Sequence, residues 1–127
     1  GLDDIKKGEP TFIPAAMVLF NPVIDTSRKG YGYNALKERY KELSPVEHVH
    51  AKTVPTLLMV GSADTTTPPG GDKAFAEKMK KQNLKCHLEI YEGQKHGFFN
   101  ARGDNENYWK TLKVVEKFLE ELGYLNK

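Results

Sequence analysis

The order strand, helix, strand, helix, strand, helix predicts an α/β fold with about three parallel strands flanked by helices. Three observations carry this. The apolar runs Ala15–Phe20, Val54–Val60 and Leu84–Tyr91 are strand-like in length and end at turn-forming residues. The segments between and after them place apolar residues at helical spacing. Val54–Val60, apolar but for Thr56, lacks the alternation of a half-exposed strand. It therefore reads as buried on both faces, as in a parallel sheet covered by helices. Strands that alternate with helices are joined in parallel by right-handed crossovers.

Residues 1–10 are polar and close on Gly8-Glu9-Pro10, a turn or linker composition. The Ala15–Phe20 run stops at Asn21-Pro22, and the Gly-, Ser- and Tyr-rich stretch from Asp25 to Asn34 reads as a loop. Leu36, Tyr40 and Leu43 at helical spacing predict a short helix over Ala35–Leu43, with Ser44 capping the turn that begins at Pro45. After Val54–Val60, a polar loop leads to a helix that Asp72 is expected to cap. That helix runs to about Gln82 with Phe75, Ala76 and Met79 inward, and Asn83 stops it. Leu84–Tyr91 is the third strand. A last and longest helix is predicted from about Asn105 to Leu122, with Trp109, Leu112, Val115, Phe118, Leu119 and Leu122 on one stripe and Gly123 closing it.

The 127 residues suit one modest domain, and no repeat or low-complexity segment divides them. Nineteen basic and 17 acidic residues leave a net charge of +2, too balanced for a nucleic-acid footprint. The basic cluster Lys78, Lys80, Lys81 and Lys85 falls at a predicted helix end, where cations suit the helix dipole. A single cysteine, Cys86, excludes an intrachain disulfide and a cysteine-based metal cluster, and it reads as a small residue of a buried strand. No run approaches the ~18 apolar residues of a membrane span, and residues 1–10 do not read as a charged-then-apolar leader, which for a piece of a longer chain says nothing about export. Three strands make a thin sheet, and one with an uncovered edge at Ala15–Phe20 is expected to pair with further chain or with a copy of itself.

In open α/β sheets, functional groups collect where the strands end. The loops Asn21–Asp25, Gly61–Asp64 and Gly93–His96 all occupy that rim in this reading. Asp64 taken alone is an ordinary turn residue. An acid after one strand and a histidine after the next, in that order, is the later part of a hydrolytic triad. The carboxylate of Asp64 would orient the imidazole of His96, whose other nitrogen would take a proton from a hydroxyl nucleophile. Asp25, after the first strand, is the rival acid. His48, His50 and His87 raise a metal site, but no carboxylate is placed to complete a ligand set. Tyr31, Tyr33, Phe98 and Phe99 are candidates for the wall of an acyl or sugar pocket, whereas Trp109 reads as core.

Leu19-Phe20-Asn21-Pro22-Val23-Ile24-Asp25-Thr26 resembles the segment after the nucleophile-bearing helix of α/β-hydrolase esterases. Leu43-Ser44-Pro45 with the run from Pro55 through Asp64 to Pro68 resembles the strand that carries the triad acid. Tyr91-Glu92-Gly93 with His96-Gly97-Phe98-Phe99-Asn100 resembles the histidine loop. The nearest in style are acetyl-esterase and lipase-like enzymes, including those that deacetylate xylan. The resemblance spans nearly the whole chain but only the C-terminal half of the family's domain. It implies Asp64 as triad acid, His96 as triad base, a small-molecule ester as substrate and no cofactor. The family's Gly-x-Ser-x-Gly turn is missing, since none of Ser27, Ser44 or Ser62 is framed by glycines in that way. The nucleophile and oxyanion hole are thus expected upstream, in another piece of chain, and these 127 residues alone are expected to be inactive. A peptidase of prolyl-oligopeptidase type, with the same strand order, and a non-catalytic fragment that acts by association are the other readings.

Overall fold

A computed structural model describes residues 13–102 and 105–126. The predicted turn at Gly8-Glu9-Pro10 lies outside the described residues. The three strands are present: β1 is Met17–Phe20, β2 is Thr56–Gly61 and β3 is Cys86–Tyr91. They form one sheet in the order β1-β2-β3, with both pairings parallel. Register sets Met17 opposite Thr56 and Phe20 opposite Met59, then Thr56 opposite Cys86 and Gly61 opposite Tyr91. All three strands therefore end on one rim.

The central strand explains the unbroken apolar run. Leu57, Leu58, Met59 and Val60 are each fully buried, and burying such a side chain contributes roughly 1.5–3 kcal/mol. Successive strand residues face opposite sides, and two separate cores follow. On one face Leu58 packs with Ile24, Val46, Phe75 and Met79. On the other, Leu57 and Met59 pack with Phe118. Helix α3, Gly70–Lys81, brings Phe75 and Met79 to the first core, and helix α4, Glu106–Glu121, brings Phe118 to the second.

Helix α4 begins as the sequence predicts, because the Asn105 side chain accepts a hydrogen bond from the Asn107 N–H at 3.1 Å. It ends at Gly123, whose φ of +79° permits the Tyr124 N–H to reach the Leu119 carbonyl. Asn83, at φ +55°, closes off α3 in the same manner.

Five expectations are corrected. Ala35–Leu43 is not one helix: α1 is Tyr33–Leu36, a 3-10 turn follows over Lys37–Arg39, and α2 is Tyr40–Leu43. Lys37 has positive φ, which interrupts the helix, and none of the three pieces buries a residue. Ser44 does not cap the 3-10 turn Pro45–Glu47; its buried hydroxyl accepts from the Thr26 N–H at 3.0 Å and holds the first loop down. Asp72 is not the cap of α3, which starts two residues earlier behind Pro69, and it is buried in the first turn. Trp109 is 63% exposed, so the inward stripe of α4 is led by Thr111 and Phe118. Cys86 is half-buried, because β3 is an edge strand and not a buried one. Two lysines of the basic cluster are held locally: Lys78 donates to the Val46 carbonyl, and Lys85 pairs with Glu121 at 3.0 Å.

Candidate active site

The loops after β2 and β3 are laced together through their backbones. Ser62 N–H donates to the Tyr91 carbonyl and Ala63 N–H to the Gln94 carbonyl, each at 3.0 Å. Gly61 makes this approach possible: a Cβ there would collide with the Gln94 carbonyl oxygen. The turn after Gly61 delivers Asp64, and the loop after Gly93 delivers His96 to the same place.

Asp64 is 3% exposed, and both its oxygens are occupied. Oδ1 accepts from the backbone N–H groups of Thr66 at 2.8 Å and Thr67 at 2.9 Å. Oδ2 lies 2.8 Å from His96 Nδ1, accepts from Asn21 Nδ2 at 2.6 Å and lies 3.0 Å from the Thr67 hydroxyl. Burial pushes this carboxyl up. The Thr67 N–H, the His96 imidazole, the Thr67 hydroxyl and the Thr66 N–H together outweigh burial, so Asp64 titrates below the ordinary aspartate value. It is the ionised member of the pair.

An ionised carboxylate accepts only, so the imidazole nitrogen facing it carries the proton. That assigns hydrogen to Nδ1 of neutral His96 and leaves the Nε2 lone pair free. The His96 side chain is 44% exposed, and Nε2 makes no hydrogen bond among the described residues. The arrangement is an oriented imidazole with an open basic nitrogen, suited to general acid–base work.

The structure separates the other candidates from this pair. Asp25 spends its carboxylate on Ser27, on the N–H at 2.7 Å and the hydroxyl at 3.0 Å, and makes no hydrogen bond with His96. Ser44 is engaged with Thr26, and Ser62 accepts from the Gly93 N–H at 2.8 Å. No serine hydroxyl among the described residues meets His96. His48 turns back onto the Lys41 and Glu42 carbonyls, His50 accepts from the Lys52 N–H, and His87 meets Glu89 at 2.9 Å along its own strand. No group of three or more His, Cys, Asp or Glu able to hold a metal occurs among the described residues.

Phe98 and Phe99 serve packing. Phe98 lies 4.7 Å from the Tyr91 ring, and Phe99 lies 4.7 Å from Phe20. Both anchor the histidine loop over the strand ends. Tyr31 and Tyr33 line an open groove with Arg28 and with Thr65 and Thr66, the two residues that follow Asp64. Tyr33 also stacks under Arg28 and donates to Glu38. Asn21 and Thr67 are the site residues that sequence reasoning missed. The sequence sets Asn21 at a strand end in the rim loop Asn21–Asp25 but gives its side chain no role.

Known proteins share this architecture. The prolyl oligopeptidase family matches residues 17–122. The structure of esterase 2 from the Planctomycetes species Thermogutta terrifontis, with propionate bound, superposes with a TM-score of 0.80 at 36% identity, over 98% of this chain and 50% of that one. Its apo form gives 0.78 at 43% identity, over 89% and 44%. Acylamino-acid-releasing enzyme 1 of Oryza sativa subsp. japonica is 21% identical over 70 residues, which is 55% of this chain and 9% of that protein. The chain thus spans at most about half the length of these relatives.

Proposed function

This chain belongs to the prolyl oligopeptidase family of hydrolases, and from that premise we propose that it supplies the acid–base half of a serine carboxylesterase site for short acyl esters, acetyl esters of carbohydrates among them. The observation that carries the reading is the contact of His96 Nδ1 with buried Asp64 Oδ2 at 2.8 Å, with Nε2 left open. A serine outside these 127 residues attacks the ester carbonyl. His96 Nε2 removes its proton and then returns it to the leaving alcohol, while Asp64 holds the Nδ1–H tautomer and stabilises the imidazolium. No cofactor takes part.

Short acyl groups are favoured because esterase 2 of Thermogutta terrifontis has been captured with propionate and with butyrate. That enzyme is also phosphorylated by paraoxon, as expected where an activated nucleophile is present. The rest of the domain, or a second copy of the chain, pairs at β1, an edge of the sheet. The chain alone sits as the C-terminal half of one hydrolase domain and is inactive. A peptidase is the second reading, favoured by the 21% match to acylamino-acid-releasing enzyme 1.

The test has two arms. The purified chain is assayed on p-nitrophenyl acetate. Turnover above an imidazole control that His96→Ala abolishes would show that the chain is complete for catalysis and overturn the divided site. A longer protein that carries this sequence is then assayed on p-nitrophenyl acetate and on N-acetyl-alanine p-nitroanilide. Preference for the anilide would replace the esterase with the peptidase.

A further inference from the structure

Asn21 does something the acid–base pair alone does not explain. It is the first residue after β1, it is 5% exposed, and its φ is +42°. That left-handed backbone is costly for most side chains and least so for Asn and Asp. The backbone N–H of Asn21 donates to the Met59 carbonyl at 2.9 Å, which ties the residue to the end of β2. Its amide nitrogen donates to Asp64 Oδ2 at 2.6 Å, and its amide oxygen accepts from the Gly97 N–H at 3.4 Å. Its own carbonyl lies 3.2 Å from the Thr67 hydroxyl. The orientation of the amide is not interchangeable, because a flip would set its oxygen against the carboxylate and its NH2 against an N–H.

One buried carboxamide therefore joins the acid to the residue next to the histidine. We propose that Asn21 is a positioning residue, a clamp that keeps Asp64 Oδ2 aimed at His96 Nδ1 and fixes the reach of the histidine loop. The inference rests on the reading of Asp64 and His96 as an acid–base pair. A hydrogen bond to an ionised carboxylate is roughly twice as strong as a neutral one, so this donor holds the Asp64 rotamer. The Gly97 contact acts on the chain immediately beyond His96, at a φ of +76° that glycine adopts without strain. The backbone cost at Asn21 persists because the contacts on every side require it.

Two variants separate backbone from side chain. Asn21→Gly keeps the left-handed backbone without strain and deletes the carboxamide. Asn21→Asp keeps the shape and sets a carboxyl group against Asp64, and at this distance the two share a proton. The readout is 15N NMR of the His96 imidazole in the 127-residue chain, which reports the tautomer ratio and the imidazole titration. Asn21→Gly is expected to lower the share of the Nδ1–H tautomer several-fold. Asn21→Asp is expected to keep the Nδ1–H tautomer, because two buried carboxyl groups 2.6 Å apart share one proton and the shared O–H takes the place of the amide donor. A dispersed amide spectrum with wild-type tautomer ratio and midpoint in both variants overturns the clamp. So does unfolding of both, which would make Asn21 a structural residue only. Asp64→Asn is the control. If it leaves His96 unchanged in a folded chain, the acid–base pairing itself fails; if it moves His96 and Asn21→Gly does not, only the clamp fails.

Discussion

Asp72→Asn should be more favourable to stability at pH 8 than at pH 4. Asp72 sits in the first turn of α3, 1% exposed, and its Oδ1 has no hydrogen-bond partner among the described residues. Burial pushes its carboxyl from 3.8 up to about 7, against the pull of its own backbone N–H and with a smaller push from the Asp64 charge. One pH unit of displacement is about 1.36 kcal/mol, so the ceiling on the effect is about 4 kcal/mol. The helix dipole favours an anion in a first turn by only about 0.3–1 kcal/mol, so burial wins. The sign follows from proton counts. Between pH 3.8 and about 7 the folded chain keeps a proton that the unfolded chain has lost, and stability falls as pH rises. Above about 7 the full cost is present. The introduced carboxamide brings its own unpaired donors, at about 1–3 kcal/mol, but that cost is the same at every pH. The quantity to measure is therefore the difference between the variant's stability change at pH 8 and at pH 4. Urea unfolding followed by far-UV circular dichroism is the assay, because Trp109 is too exposed to be a sensitive fluorescent reporter. A difference of about 2–4 kcal/mol in favour of the variant at pH 8 is expected. Parallel pH profiles for the two proteins would refute the reasoning.

Further expectations follow from single contacts. Gly61→Ala drives a Cβ into the Gln94 carbonyl, a backbone group that cannot rotate aside. It should cost about 3 kcal/mol in urea unfolding and disturb the His96 ring resonances; an unperturbed His96 spectrum would contradict the lacing of the two loops. Ser44→Ala leaves the buried Thr26 N–H without its acceptor and should cost about 1–3 kcal/mol in the same assay, whereas a cost near zero would mean that the loop finds another partner. Asp64 titrates low in the folded chain, so its stabilisation is complete above the unfolded value of 3.8 and disappears as pH falls through the lower folded value. Asp64→Asn should therefore flatten the acid limb of the stability profile, and an unchanged limb would count against the carboxylate's hydrogen bonds.

What the sequence made legible is what local chemistry decides. The apolar Val54–Val60 run could only be a doubly covered strand, and β2 is buried along its length. Asp64 and His96 stood out because each follows a strand, and parallel pairing of those strands sets their loops side by side. The single helix read over Ala35–Leu43 fails because its apolar positions bury nothing, so periodicity there had no core to serve. Trp109 misleads because it lies about half a turn round α4 from both Thr111 and Phe118, on the face away from the sheet. Asp72 has a cap-forming residue type at a helix start, but residue type alone does not distinguish the position before a helix from its first turn.

The roles of Asn21 and Thr67 were illegible for a deeper reason. The partners of Asn21 are 43 and 76 positions away, and although Thr67 binds Asp64 three positions back, its contacts with Asn21 and His96 span 46 and 29. No local pattern encodes the long-range contacts; only the strand order does. Yet among the described residues Asn21, Thr66, Thr67 and the Gln94 backbone already orient the Asp64–His96 pair. A pair held by its own loops needs no nucleophile to set its geometry. Oriented groups that are in place before the reaction avoid reorganisation at the moment of proton transfer. The His96 tautomer should thus be fixed in the isolated chain, and adding the remainder of a hydrolase domain should change what Nε2 meets and leave what Nδ1 meets unaltered. A 15N spectrum in which Nδ1 becomes ordered only on association would show instead that the pair is assembled across the two pieces.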